Sequence, residues 1–289
     1  MRLVCAIACA VLAFMPVGAG AETTYQINWC SLNSGGGVMT GGPYTLNSTV
    51  GQTVQGFESS SGFLHWIGFW AGEIPTPTLA PSIKAAKLLE DGAWVSVAGK
   101  IATSDATDFF TEFFYLQESA RSSGIRVAVS PANIAGLTRE KSVLNVIGAI
   151  GTTADGERQI TAPMVIVVST NNTALGPVAM TNRSVGGSDF ATPPVGQYGV
   201  TGARGLNNVG LLVRTLGRVV DIGSGYVLID DGSGVNVRVD TSGLASPPTA
   251  NAYISVTGIS SLYFPNPPGT DRFRLILPRA DSDVTGNLE

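Results

Sequence analysis

The sequence predicts an all-β protein: a β-rich module near the N-terminus, then two five-stranded barrels. Three observations carry that prediction. Apolar and polar residues alternate at a period of two, as where Val235, Val237 and Val239 flank Asn236, Arg238 and Asp240, and this marks half-buried strands. One order of strands, glycines and turns occurs twice, in residues 82–172 and again in 208–283. Asp-Gly turn signals stand where hairpins need them, at Asp155-Gly156 and at Asp231-Gly232-Ser233-Gly234.

The composition bounds the function. Among 289 residues, 17 Lys and Arg face 21 Asp and Glu for a net charge of −4, and only 13% of residues are charged. Soluble domains carry about 25%, so this surface relies on Gly, Ser, Thr and Asn. One histidine cannot build a multi-histidine metal site or a histidine relay. The balance counts against metalloenzymes, disulfide scaffolds, basic nucleic-acid arms and multi-span membrane proteins, and it calls for no metal and no cofactor.

The elements follow in chain order. Arg2, an apolar run from Leu3 to Val17, and Ala19-Gly20-Ala21 make the pattern of a cleaved secretory signal over 1–21. The run is short for a span of about 20 residues, and no later run is long enough to cross a bilayer, so a secreted, cell-surface or periplasmic protein is expected. Cleavage removes Cys5 and Cys9 and leaves Cys30, which is either buried or cross-links two chains into a dimer. Residues 22–74 form a Gly/Ser-rich β module, and 75–81 a Pro-rich extended linker.

The first barrel, 82–172, has apolar strands at Trp94–Ile101, Phe114–Glu118, Gly124–Val127, Val143–Gly148 and Met164–Val168. A short helix is expected at Pro131–Ala135. An irregular, Gly/Pro/Asn-rich connector covers 173–207. The second barrel, 208–283, repeats the plan at Leu212–Val219, Val227–Asp231, Gly234–Val239, Tyr253–Gly258 and Phe273–Leu277, and 284–289 is a tail. A glycine inside each long first strand, Gly99 and Gly217, suggests a bulge or bend that lets one strand serve both sides of a small barrel. Five strands, a bent first strand and a connector after the third are the plan of an OB barrel. Val127, Val129, Val235, Val237, Val239, Phe114, Leu116, Val227 and Ile229 are the expected core.

The phrase Phe114-x-Leu116-x-Glu118, a turn, then Gly124-Ile125-Arg126-Val127 resembles the hairpin of strands two and three in OB-fold domains, and Val227 through Val239 repeats it. That resemblance covers a little over half the chain and implies a fold, since OB-folds bind nucleic acids, sugars and proteins alike. In the N-terminal block, Asn33-Ser34-Gly35-Gly36-Gly37, Gly42-Pro43-Tyr44-Thr45-Leu46, Val50-Gly51-Gln52 and Gly68-Phe69-Trp70 resemble a motif of exported bacterial surface proteins with no assigned activity. This second resemblance implies secretion and a β module, with no chemistry.

Strand alternation sends Phe113, Tyr115 and Gln117 out of barrel 1, with Arg126 beside them on the next strand. Tyr226 and Arg238 hold matching places in barrel 2. Aromatics beside Arg on strands two and three are where OB-folds stack bases or sugars; the alternative is that they pack against the neighbouring domain. The acidic balance and scattered cations count against nucleic acid without excluding a local basic groove. Arg272, Arg274 and Arg279 are expected along an exposed edge. His65 sits in a strand-like stretch without catalytic context, and Asp230, Asp231 and Glu118 read as turn-formers before paired catalytic carboxylates. The Asn-x-Ser/Thr triplets at Asn47, Asn171 and Asn182 carry little weight.

No catalytic residue stands out, so an enzyme ranks third. The first expectation is an exported non-enzymatic scaffold or protein-interaction protein, its partner a protein or glycan at the cell surface. The alternative is an OB-fold binder of glycans or single-stranded oligonucleotides. An exposed Phe113, Tyr115 and Arg126 favours the binder, and burial of these side chains against another domain favours the scaffold.

Overall fold

The computed structural model describes residues 76–104, 108–129, 141–170, 172–265 and 271–286, together with the backbone of four N-terminal strands. The expected signal segment at 1–21, Cys30, Asn171 and the helix expected at Pro131–Ala135 lie outside the described residues, as do the side chains of Asn47 and His65. Two compact units divide the chain: Met1–Glu58 with Leu64–Glu73, and Ser59–Phe63 with Ile74–Glu289. In the N-terminal region β1 (Gly35–Gly41) pairs antiparallel with β2 (Tyr44–Val50), and β3 (Gly56–Ser60) pairs with β4 (Phe63–Ile67).

The second unit holds both barrels. Barrel 1 is built from β6 (Trp94–Ala102), β7 (Phe114–Gln117), β8 (Gly124–Val127), β9 (Val143–Thr152) and β10 (Arg158–Ser169). Their order is β6-β7-β8-β10-β9, and β9 pairs back onto β6, which closes the barrel. Only β8 and β10 run parallel. The expected linker contributes more than a tether. Its residues Thr78–Ala80 form β5, a strand parallel to β6. A one-turn helix α1 (Ile83–Ala86) follows, capped by the Ser82 hydroxyl accepting from the Ala85 N–H at 3.1 Å. Ile83 and Ala86 of that turn join the core of Val95, Val97, Phe114, Leu116, Ile125, Val127, Leu144 and Val146.

The connector carries β11 (Val178–Ala179) and a small antiparallel pair, β12 (Phe190–Thr192) with β13 (Val195–Gln197). Barrel 2 then repeats the plan with β14 (Leu212–Gly223), β15 (Tyr226–Asp230), β16 (Asn236–Asp240), β17 (Tyr253–Tyr263) and β18 (Phe273–Leu277). Closure comes from β17 pairing with β14, and the one parallel pair of the barrel is β16 with β18. β11 and β19 (Val284–Thr285) extend its sheet at two edges. Val213, Val219, Val227, Ile229, Val237, Val239, Val256 and Ile276 fill this core.

The two bent first strands differ. In β6 the register shifts between Val97 and Lys100, and Gly99 within that bulge has φ +68°, which glycine adopts without cost. In β14 the shift lies further on, between Val219 and Asp221. Gly217 serves close approach instead, because a Cβ there would lie 2.9 Å from the Asp230 carbonyl carbon. Two expected core residues are only half-buried: Val129 packs at the barrel margin, and Val235 lies in the turn before β16 begins.

Candidate ligand faces of the two barrels

In both barrels the outer surface of strands two and three is the place to look for a ligand. In barrel 1 the alternation holds, with Phe114 and Leu116 in the core and Tyr115 and Gln117 turned out. What lies outside is barrel 2. Tyr115 and Gln117 are both 0% exposed, and Phe113 and Arg126 are half-buried. The Tyr115 ring packs with Leu212 and Ile259 of barrel 2, with Leu277, Phe110 and Phe113 around them. Phe110 and Phe113 stack at 5.0 Å between centroids, and both meet Tyr115 edge-on, at 6.0 and 5.8 Å. Arg126 covers the Phe113 ring at 3.6 Å. Of the two expectations for Phe113, Tyr115, Gln117 and Arg126, this burial favours packing against the neighbouring domain: the four side chains form an interdomain joint.

Polar groups fix the same joint. Gln117 Oε1 accepts from the Leu212 N–H at 2.8 Å. Glu157 Oε2 accepts from the Tyr115 hydroxyl at 2.9 Å and from the Ser261 hydroxyl at 3.1 Å. Lys87 Nζ donates to the Val209 carbonyl at 2.9 Å. Burial dominates the titration of these groups. It raises the Glu157 carboxyl against the opposing pull of Arg126, and it lowers the Lys87 ammonium to about 7 against the pull of Glu157. Burial, helped by the neighbouring Glu157 charge, lifts the Tyr115 hydroxyl well above its usual value. At the centre the backbones nearly touch, since a Cβ on Gly124 would sit 2.0 Å from the Gly210 carbonyl oxygen.

The expected arginine edge belongs to this architecture too. Arg279 is 6% exposed, pairs with Asp283 at 2.8 Å and donates to the Thr103 carbonyl of barrel 1 at 2.9 Å. Arg272 lies over the Tyr198 ring at 3.8 Å and donates to the Asp155 carbonyl at 3.0 Å. Arg274 donates to the Arg183 carbonyl at 3.1 Å. They tie segments together instead of lining an open edge.

Barrel 2 keeps its face. Arg238 on β16 lies between two rings, 3.7 Å from the centroid of Tyr226 and 4.0 Å from that of Tyr263. All three side chains are half-exposed, and Phe273, opposite Tyr263 in the register, is 49% exposed. Tyr226 and Arg238 were legible from alternation, whereas Tyr263 and Phe273 come from strands four and five and needed the barrel to be closed.

The remaining candidates are structural. Asp230 Oδ1 accepts from the Gly232 and Gly234 N–H groups, and the Asp231 carboxylate from those of Ser233 and Asn182. Glu118 belongs to barrel 1, where it pairs with Lys100 at 3.0 Å and accepts from the Ile83 N–H at 2.7 Å. Asn182 is 0% exposed, donating to the Ile229 carbonyl at 2.9 Å and accepting from the Thr215 hydroxyl at 2.8 Å. Among the described residues no group of His, Cys, Asp and Glu could hold a metal ion, and no helix is long and apolar enough to cross a membrane.

The fold thus defines a protein of two OB-like barrels joined face to flank. No family model matches the chain, and no curated protein matches it. Among solved structures it is similar to a murine DNA-binding protein bound to double-stranded DNA, at 14% identity and a TM-score of 0.33, covering 65% of this chain and 92% of that one. It is also similar to p202 HIN1 in complex with 12-mer double-stranded DNA, at 11% identity and 0.30, covering 69% and 92%. A third, described as structural mimicry for functional antagonism, has 12% identity and 0.32, covering 69% and 91%. Likeness at this level carries no function across.

Proposed function

We propose that this chain is an exported, non-enzymatic OB-fold binding protein whose ligand face is the open one of barrel 2. The observation that carries this reading is Arg238 held between the Tyr226 and Tyr263 rings on a half-exposed barrel surface. Rings fixed by a cation lose little freedom when a flat partner stacks on them. The charges on that face are mixed, with Asp240 opposite Tyr226 in the register and two residues along β16 from Arg238. Mixed charge suits the hydroxyls and apolar faces of sugar rings better than a run of phosphates. A glycan is the proposed ligand. The non-enzymatic part is supported by the structural bonds that occupy Asp230, Asp231 and Glu118, and export by the N-terminal pattern at 1–21.

The test is a glycan array and a single-stranded oligonucleotide array, probed with wild type and with Tyr226→Ala/Tyr263→Ala protein. Stacking contributes about 1–3 kcal/mol per ring, so the expected result is glycan binding that the double variant weakens by at least about tenfold. Binding to oligonucleotides alone, with a steep salt dependence, replaces the glycan by nucleic acid. A scaffold or protein-interaction role is the second reading, favoured by the burial of Tyr115 at the joint. Silence on both arrays, with a protein captured from the cell surface, decides for it.

A further inference from the structure

Away from both barrel faces lies a cleft of about 550 Å³ between α1, the turn joining β7 to β8, and the connector. Its size is that of small-molecule sites, which span about 300–1,000 Å³. Lys84 of α1, Arg121 of the turn and Arg204 of the connector reach it from three separate segments. All three are exposed. Met180, Phe190 and Leu211 supply an apolar wall. A fourth cation in the lining, Lys87, is buried and already committed to the Val209 carbonyl.

No acidic residue is among the described residues that line the cleft. This is unexpected in a chain whose Asp and Glu outnumber its Lys and Arg, 21 to 17. Lys84 Nζ lies 4.9 Å from the centroid of the Phe190 ring, so one of these cations stands directly on the apolar wall. Arg121 and Arg204 also present the planar fork that matches carboxylate and phosphate oxygens. Arg121 has φ +56°, in the region that favours glycine, so the turn keeps an arginine where the backbone would prefer a residue without a side chain.

We infer that this cleft binds a small oxyanion-bearing ligand, a phosphate or carboxylate group carried on a ring-sized body. Lys84 and the two arginines hold the anion, and the body lies on the wall of Met180, Phe190 and Leu211. The site is independent of the stacking face of barrel 2.

The experiment titrates the full chain by calorimetry with two matched pairs of probes. One pair is a nucleoside monophosphate and its nucleoside; the other is a hexuronate disaccharide and its neutral disaccharide. The expected result is that one charged probe binds with a Kd of about 1 mM or tighter, and at least tenfold tighter than its neutral partner. Which pair responds tells phosphate from carboxylate. Arg204→Ala and Arg121→Gly each weaken that binding about tenfold, and Arg121→Gly, which relieves the backbone, melts at or above the wild-type temperature. Tyr226→Ala/Tyr263→Ala leaves it unchanged, which separates this site from the proposed glycan face. Equal binding of charged and neutral probes, no binding of either pair, or arginine variants that bind like wild type would overturn the inference.

Discussion

Barrel 1 and barrel 2 follow the same strand plan and put the same kind of side chains on the same outer strands, yet they use them in opposite ways. In barrel 1 Tyr115 is sealed under Leu212 and Ile259, and its hydroxyl reaches a buried Glu157. In barrel 2 Tyr226 stays half-exposed, with Arg238 stacked upon it. The difference comes from what each barrel offers its neighbour. Barrel 1 presents its strand-two and strand-three face, whereas barrel 2 contributes Leu212 of strand one and Ile259 of strand four and so leaves its own second and third strands open. A fold plan that repeats does not imply a site that repeats.

Substitutions at the joint should break this comparison hardest. Gly124→Val has no room beside the Gly210 carbonyl oxygen, so the barrels must separate or shift. The expected loss is about 4 kcal/mol or more, the range of severe overpacking, measured by urea unfolding. Tyr115→Ala removes a fully buried ring and should cost about 3–5 kcal/mol. Tyr226→Ala, by contrast, should stay within about 1 kcal/mol of wild type in the same assay. A cost for Tyr226→Ala as large as that for Tyr115→Ala would remove the contrast between the two faces.

The pH dependence sharpens the account, because the two buried charges at the joint act in opposite directions. Glu157 is raised by burial, so its contribution is complete below the ordinary carboxyl value of 4.5 and is lost as pH rises through its folded value. Lys87 is lowered to about 7, so its contribution is complete above 10.5 and is lost as pH falls towards about 7. Relative to Glu157→Gln, wild type should therefore lose stability on going from acid to neutral pH. Relative to Lys87→Met, it should gain stability on going from neutral to alkaline pH. Denaturation at a series of pH values reads both slopes. Smallest of all, Arg238→Lys should change stability by no more than about 0.5 kcal/mol, while altering how the Tyr226 and Tyr263 rings present themselves to a ligand.

The barrels were legible because a strand's inside and outside are written in its alternation, and because Asp155-Gly156 and Asp231-Gly232 mark the turns that set register. Alternation also placed Tyr115 and Gln117 outside barrel 1. It could not say what covers them, since a side chain turned out of one barrel looks the same in sequence whether it meets water or a second core. The run Phe114-Tyr115-Leu116-Gln117 did hold a clue: all four of its residues are buried, and three in a row are large and apolar or aromatic, the mark of a strand covered on both faces. α1 is only one turn long, too short for a helical period to register, and Pro-rich sequence hid β5. The cationic cleft was illegible because Lys84, Arg121 and Arg204 are distant in sequence and meet only when the connector packs against barrel 1.

The most direct test of the central contrast is hydroxyl-radical footprinting of the intact chain, read tyrosine by tyrosine by mass spectrometry. With barrel 1's face closed and barrel 2's open, Tyr115 should stay unmodified while Tyr226 and Tyr263 are oxidised at rates typical of partly exposed rings. Oxidation of Tyr115 as fast as that of Tyr226 would mean that the barrels do not meet through that face, and would contradict the account.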